Sequence, residues 1–475
     1  MPILVKYKRY WLKVRGLIKY YIAAGILSVT IFTSCEELDA PINYSPNLSL
    51  YERYKNALVD INLDSTLLGK KWILTGTESL RDTLLHQIPL REAGYFNADD
   101  PRAVTFRIEP EIGELLTFNL EVLAVNGSKF FMDLFEEINA DFPRYRRVSS
   151  IDSVLNIQYE VRNKRPHILR IQPELLVSGK YVITITSKPS LSFPVSGKNS
   201  NAIGSAWGDP RDGGRRSHRG VDIFAPRGTE ALAAFDGVVS HVGLNKLGGK
   251  VVWLRNNKRK LTLYYAHLDS QIVHRGQKVL AGEPVGLIGN TGNALYTPPH
   301  LHFGVYWHGR GGVNPIGHLK ESNKNVPEIG EGDDFLNNWL RVKNRNTLLK
   351  RSPSLRSEVL SKLDPGYPVM ITGVTKGWYR IRLPNDNNGY VRVNDLEIMD
   401  DPLQALFLNK GSYLTANPKN EIIPIDSISE GKELKIMGTF NHFYLVESLN
   451  GKYGWIKIPN YLGSTSALVG VSAAE

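Results

Sequence analysis

Three short stretches of this sequence carry residues that could hold and use a metal ion. In His300-Leu301-His302 the imidazoles stand two residues apart, so on a β-strand they share one face while Leu301, Phe303 and Val305 turn to the other. Pro298-Pro299 makes that strand start abruptly. Taken alone, such a pair is cheap in a chain with eleven histidines. His218 and Asp222 stand four apart with Gly220 between them, and a nitrogen and a carboxylate oxygen so spaced can bind one metal from a loop running into a strand. As an isolated pair they read more simply as a surface histidine and an unrelated acid. The third stretch, Tyr264-Tyr265-Ala266-His267-Leu268, ends an apolar strand that starts near Leu261. A histidine there is by default a satisfied core residue.

The surroundings sharpen these readings. Eight of the eleven histidines (218, 241, 267, 274, 300, 302, 308 and 318) fall within 101 residues. An even spread would put about two there. Before this segment, residues 60–196 alternate like half-buried strands. Leu116, Phe118, Leu120 and Val122 interleave with Thr117, Asn119 and Glu121; Asn126-Gly127 offers a hairpin turn; Ser178-Gly179 leads into Tyr181, Ile183 and Ile185. With no titratable cluster in it, this region reads as a β-sandwich that packs or positions. After it, an internal repeat runs at an offset of 65: Leu349 with Leu414, Pro353 with Pro418, Gly366 with Gly431, Gly373 with Gly438, Trp378 with Phe443, Gly389-Tyr390 with Gly454-Trp455. Short apolar runs punctuated by glycine suit two small barrels, over 345–400 and 401–462. Residues 321–344 read as a linker that sets how far this pair swings, and 463–475 as a tail.

The formal charge of +11 is misleading. Lys6, Lys8, Arg9, Lys13, Arg15 and Lys19 precede any acidic residue, so the 441 residues after position 34 hold only +5. That excludes a nucleic-acid binder but would not repel anionic wall polymer or lipid headgroups. Those cations are followed by the uncharged run Tyr20–Phe32 and then Thr33-Ser34-Cys35. The layout is that of a secretory signal over 1–34, too short in its apolar part to favour a membrane-spanning helix. Cys35, the one cysteine, cannot form an intrachain disulfide, and its position resembles a bacterial lipoprotein processing site, although Phe32 stands where Leu or Val is usual. A tether over 35–59 would follow, placing the protein at the cell envelope on a lipidated Cys35, on the periplasmic or outer-membrane face.

The order His-x-x-x-Asp, Tyr-Ala-His-Leu, His-Leu-His-Phe, with Gly286-Leu287-Ile288-Gly289-Asn290-Thr291-Gly292 between the last two, is far more specific than its parts. Together with Asp236-Gly237-Val238-Val239, it makes residues 204–316 resemble the lysostaphin/LytM-type zinc endopeptidases, and the repeats resemble bacterial SH3-like modules. The resemblance implies a mainly β, multidomain protein whose peptidase domain, residues 197–320, has its site in a groove on an antiparallel sheet. It implies one zinc ion per chain on His218, Asp222 and His302 with a fourth position for water. His267 and His300 match the two non-ligand catalytic histidines, one accepting a proton and the other steadying the oxyanion, in an order left open. The implied substrate is peptidoglycan, cut at its peptide cross-links. Leu295-Tyr296-Thr297-Pro298-Pro299 and Gly304 depart from the pattern of many members, which bears on the groove wall and on substrate preference. His241, His274, His308 and His318 are expected at the surface or behind the ligands, His308 lining the groove.

Competing chemistries lack their residues: no His-Glu-x-x-His, no Gly-x-Ser-x-Gly, and Gly243 to Lys250 has neither the spacing nor the following Ser or Thr of a phosphate loop. Two further readings remain: a catalytically silent regulator that keeps the fold without turnover, and a wall-binding lipoprotein adhesin led by its SH3-like pair, with the peptidase as a trimming accessory.

Overall fold

The computed structural model describes residues 48–457 apart from 126, 140–143, 152, 322–323, 409, 419–423, 448–450 and 452. The signal, Cys35, Asn126 and the 463–475 tail lie outside the described residues. Among those described, no helix is long and apolar enough to cross a membrane.

The tether expected over 35–59 ends in a helix instead. Ser49 and Glu52 form a reciprocal capping box at the start of Leu50–Asp60, and a second helix, Leu67–Glu78, is capped by Thr66. Tyr51 stacks on Trp72 at 4.9 Å, and both meet Phe131 edge-on. The helices therefore cover the outer face of a sheet, which is why Phe130–Asn139 is buried on both sides along most of its length.

The eight strands that follow make the expected sandwich. Leu90–Phe96, Gly179–Pro189, Glu114–Ala124 and Asn156–Glu160 form one layer; Val104–Ile108, His167–Pro173, Phe130–Asn139 and Arg144–Ser150 form the other. Phe106, Phe118, Leu134, Leu169 and Ile183 fill the space between. The region is less inert than its sequence suggests. Asp133 is paired with Arg170 at 2.6 Å, and buried Glu136 accepts from Arg146, Tyr159 and Asn163.

The region over 197–320 is built on one antiparallel sheet running Lys278–Val279, Gly237–Asn245, Gly249–Asn256, Leu261–Gln271, His300–Trp307, Val221–Phe224, Ile203–Ser205. One face packs Ile223, Leu254, Leu263, Tyr265, Leu301, Phe303 and Val305 into its core, leaving the other for the site. The sandwich meets this sheet at the end remote from the site histidines. Arg259, just before Leu261, forks onto Glu160 at 2.6 and 3.2 Å, and Arg310 donates to the Arg162 carbonyl at 2.9 Å. His318, expected at the surface or behind the ligands, is fully buried in this junction, 2.8 Å from Ser190 Oγ.

Both repeats form small barrels, and the offset is kept by six strands of each. Trp339–Val342, Thr347–Lys350, Val359–Leu363, Pro368–Thr375, Trp378–Arg382 and Asn388–Arg392 recur 65 residues on as Gln404–Phe407, Ser412–Thr415, Pro424–Ile428, Glu433–Phe440, Phe443–Glu447 and Tyr453–Lys457. The matched glycines have matched roles. Gly366 and Gly431 both adopt positive φ, and the bulges after Ile371 and Ile436 reach Gly373 and Gly438.

The linker expected over 321–344 is shorter and pinned. Trp339–Val342 is already a strand of the first barrel, Lys180 pairs with Asp333, and Asn337 N–H donates to the Ile371 carbonyl at 2.9 Å. The first barrel joins the sandwich as one sheet, through Ala93↔Val374 and Gly94↔Gly373. Below that seam Tyr390 donates to Glu92 at 2.6 Å and meets His86 Nε2 at 2.8 Å, while Arg380 lies 3.0 Å from Asp82. Burial pushes the Glu92 carboxyl up against the opposing pull of Arg380, and holds His86 neutral, its pKa down to about 3.

Candidate metal centre

Strand register does most of the positioning. Asp222 is the direct cross-strand partner of His302, and Ala266 is its partner on the other side. His218 lies in the loop before Val221–Phe224 and is folded back by two backbone bonds, His218 N–H to the Asp209 carbonyl at 2.8 Å and Gly208 N–H to the His218 carbonyl at 2.9 Å. The glycine between the ligands has a steric reason. A Cβ on Gly220 would lie 2.7 Å from His302 Cε1 and 2.6 Å from the Phe303 carbonyl oxygen, so only glycine leaves room for the imidazole.

The result is a triangle of donor atoms. His218 Nε2 is 3.0 Å from Asp222 Oδ1 and 2.9 Å from His302 Nδ1, and His302 Nδ1 is 2.9 Å from Asp222 Oδ1. His218 Nδ1 donates its proton to the Ala206 carbonyl at 2.8 Å, which leaves a lone pair on Nε2. That lone pair faces a carboxylate oxygen, an arrangement that asks for a cation. Two imidazole nitrogens and one carboxylate oxygen are donors of the kind zinc prefers, and three protein ligands match a catalytic rather than a structural site. Burial alone would raise the Asp222 carboxyl. Contact with the His218 and His302 imidazoles outweighs it and holds the group well below the usual carboxylate range.

His267 and His300 stand beside the triangle. The His267 ring is 5.0 Å from that of His300 and 5.8 Å from that of His302, and His300 Nε2 is 3.9 Å from Asp222 Oδ1. Each is fixed in one tautomer by a backbone carbonyl, His267 Nδ1 to Thr291 and His300 Nδ1 to Pro298, both at 2.8 Å. Both therefore turn a bare Nε2 inward when neutral. His267 has φ +62°, a left-handed conformation inside a strand, and the pairing on both neighbouring strands shifts register beside it. That kink aims the side chain at the site at a cost of about 1–3 kcal/mol. Burial lowers the His267 pKa to about 4, so the imidazole is neutral at physiological pH.

The structure thus brings all five of these residues together. His241, His274 and His308 are exposed, with His308 Nε2 3.0 Å from Thr262 Oγ1 on the same sheet face as the site. Arg211 is the residue that sequence reasoning missed. Its Nη2 donates to Asp222 Oδ2 at 2.9 Å and to Ser205 Oγ at 2.5 Å, holding the carboxylate so that Oδ1 faces the histidines. The signal was Gly213-Gly214, a tight turn that folds Pro210–Arg211 back onto Arg216–Ser217.

Comparison with known proteins bears on this geometry. Residues 216–315 match Peptidase family M23 and residues 346–397 match the bacterial SH3 domain. The chain is 37% identical over 123 residues to the L-Ala–D-Glu endopeptidase of Bacillus subtilis, covering 24% of this chain and 37% of that one. It is 39% identical over 94 residues to the peptidoglycan DD-endopeptidase ShyC of Vibrio cholerae, covering 20% and 21%. The catalytic domain of the antimicrobial peptidase lysostaphin from Staphylococcus simulans is a structural neighbour at 30% identity, covering 24% of this chain and 91% of that one with a TM-score of 0.23. The chain thus carries an M23 peptidase domain and a bacterial SH3 domain. It spans well under half the length of these two curated relatives.

Proposed function

We propose that this protein is a zinc-dependent endopeptidase that hydrolyses peptide cross-links of bacterial peptidoglycan, held at the cell envelope by a lipid on Cys35. The observation that carries the reading is the donor triangle of His218, Asp222 and His302, with two further histidines of fixed tautomer beside it. The zinc would be held by those three residues, one ion per chain. The chemistry it supplies when bound is Lewis-acid activation of water and of the scissile carbonyl at neutral pH.

The chain's own groups divide the remaining work. His267, neutral and with Nε2 bare, is the base that takes a proton from the attacking water. His300, with Nε2 3.9 Å from Asp222 Oδ1, faces the same point and is the group that steadies the developing oxyanion. The M23 match and the endopeptidase relatives support the substrate class, and the SH3 domain supports attachment to the wall.

The test is digestion of defined cross-linked muropeptides with and without chelator, beside zinc analysis of the purified protein. We expect about one zinc per chain, loss of zinc and hydrolysis in His302→Ala, and zinc kept but turnover lost in His267→Ala. Zinc retained by His302→Ala would remove that residue from the ligand set. No bond cut by zinc-replete protein would leave a wall-binding or regulatory lipoprotein.

A further inference from the structure

The sheet face that carries the donor triangle continues away from it as a strip of aromatic rings. His302, Gly304 and Tyr306 alternate onto this face; Tyr264 is the cross-strand partner of Gly304, and Trp253 is the partner of Tyr264. The Tyr264 ring is 5.9 Å from His302, and Trp253 is 4.4 Å from Tyr264 and 5.2 Å from Tyr306. Trp207 closes one side: a Cβ on Gly312 would lie 3.0 Å from its ring and 3.4 Å from that of Tyr306. Two strand spacings, about 10 Å, and a two-residue offset along the strand, about 7 Å, place Trp253 about 12 Å from His302.

These rings are not part of the main core. Trp253, Tyr264 and Tyr306 form a separate small cluster with Val251 and Ala266 on the opposite face of the sheet, and Trp207, Trp253 and Tyr306 all stay partly exposed. Partly open aromatic faces suit a cation, an aliphatic side chain or a sugar ring. Arg219, whose charge acts on the Tyr306 phenol, and exposed Arg255, cross-strand from Thr262, stand at the margins and disfavour a basic ligand. Hydrogen-bonding groups border the strip: the Tyr264 hydroxyl with Asn245 at 3.1 Å, Thr262 with His308 at 3.0 Å, and exposed His241, the cross-strand partner of Trp253. A purely aliphatic ligand has no use for them. A sugar ring, apolar on its face and polar around its edge, uses both.

We infer that the strip of Trp253, Tyr264, Tyr306 and Trp207 is a subsite for a sugar ring of the wall glycan, so that the preferred substrate is a peptide still attached to its glycan. The inference rests on the wall-peptide reading above. A span of about 12 Å is bridged by roughly four extended residues, within reach of a stem peptide running from the strip to the metal site.

The experiment compares a cross-linked muropeptide dimer carrying its sugars with the same dimer stripped of them. Wild-type protein cuts the sugar-bearing dimer about five- to tenfold more efficiently, through KM, as expected for one well-packed aromatic contact. Trp253→Ala erases that preference and leaves kcat on the sugar-free dimer unchanged, whereas Trp253→Phe keeps most of it. Equal efficiency of wild-type protein on both dimers overturns the inference, as does an equal loss on both in a Trp253→Ala protein with normal zinc content and circular dichroism. Calorimetric binding to His267→Ala protein decides the matter independently of turnover. If zinc-loaded wild-type protein cuts neither dimer, the peptidase reading fails. The sugar subsite then stands only if the sugar-bearing dimer binds at least fivefold tighter and Trp253→Ala removes the difference.

Discussion

Replacing Arg211 tests whether the donor triangle is held together by more than its own three residues. Arg211 donates to the Asp222 oxygen that faces away from the histidines, and Asp222 is only 8% exposed, so water cannot readily replace the lost bond. In Arg211→Gln the carboxylate loses its cation and one of its fixed orientations. Substitutions of this kind behind a metal ligand weaken metal binding by roughly 10- to 100-fold, or about 1.4–2.7 kcal/mol. Competition with a chelator of known zinc affinity measures the change directly. The thermal midpoint of zinc-free protein should move much less than that of the zinc-bound form, because the bond matters mainly when both carboxylate oxygens are engaged. Zinc affinity within twofold of wild type would show that Asp222 is oriented by the sheet register alone.

Three other outcomes follow from the same coordinates. Gly220→Ala should abolish zinc binding, because its Cβ would overlap the His302 ring, while the circular dichroism of the β-rich chain stays near wild type; normal zinc content would refute the steric argument. Tyr390→Phe should destabilise the junction of the first barrel by about 1.5–3 kcal/mol, since it strips a hydrogen bond from the buried Glu92 carboxyl, and denaturant melts would detect it. For His318, burial lowers the folded pKa to about 4, so below about pH 6.5 the unfolded chain binds a proton that the folded chain refuses. Stability should therefore fall as pH drops from about 6.5 towards 4, by about 3 kcal/mol in all, and His318→Gln should flatten that slope.

The site was legible because four of its five residues lie on strands. On a strand a spacing of two fixes a face, so His300 and His302 could be placed together from sequence, and the register then delivered Asp222 opposite His302. What pairs strands across sequence distance left no local mark. Arg211 and the carbonyls of Ala206, Thr291 and Pro298 orient the site, yet a carbonyl has no residue type to recognise. The repeat was legible to the residue because gapless spacing was kept through all six strands. The helix Leu50–Asp60 was not, as its polar surface follows the Pro- and Asn-bearing stretch 41–47 without a break in composition. His318 misled for the opposite reason: its partners, Ser190 and Gly113, come from the sandwich 128 and 205 positions earlier.

The repeat also explains why the barrels are not free to swing. In the first, the bulge glycine Gly373 pairs with Gly94 of the sandwich, and a Cβ there would lie 2.7 Å from the Glu92 carboxylate. In the second, the matching Gly438 packs on Pro368 of the first barrel, and the next residue, Thr439, donates its N–H to the Gly366 carbonyl at 3.1 Å. Each barrel thus docks through the same strand onto the unit before it, and the glycines matched in sequence are those that let two backbones or a backbone and a ring approach closely. The aromatic positions matched at 390 and 455 are used in the same way. Tyr390 is buried against Leu84 of the segment leading into the sandwich, and Trp455 against Trp339 of the first barrel, with ring centres 5.7 Å apart. Aromatic residues that would suggest two ligand-binding faces are therefore spent on serial docking, and any surface the barrels offer to the wall must lie elsewhere on them.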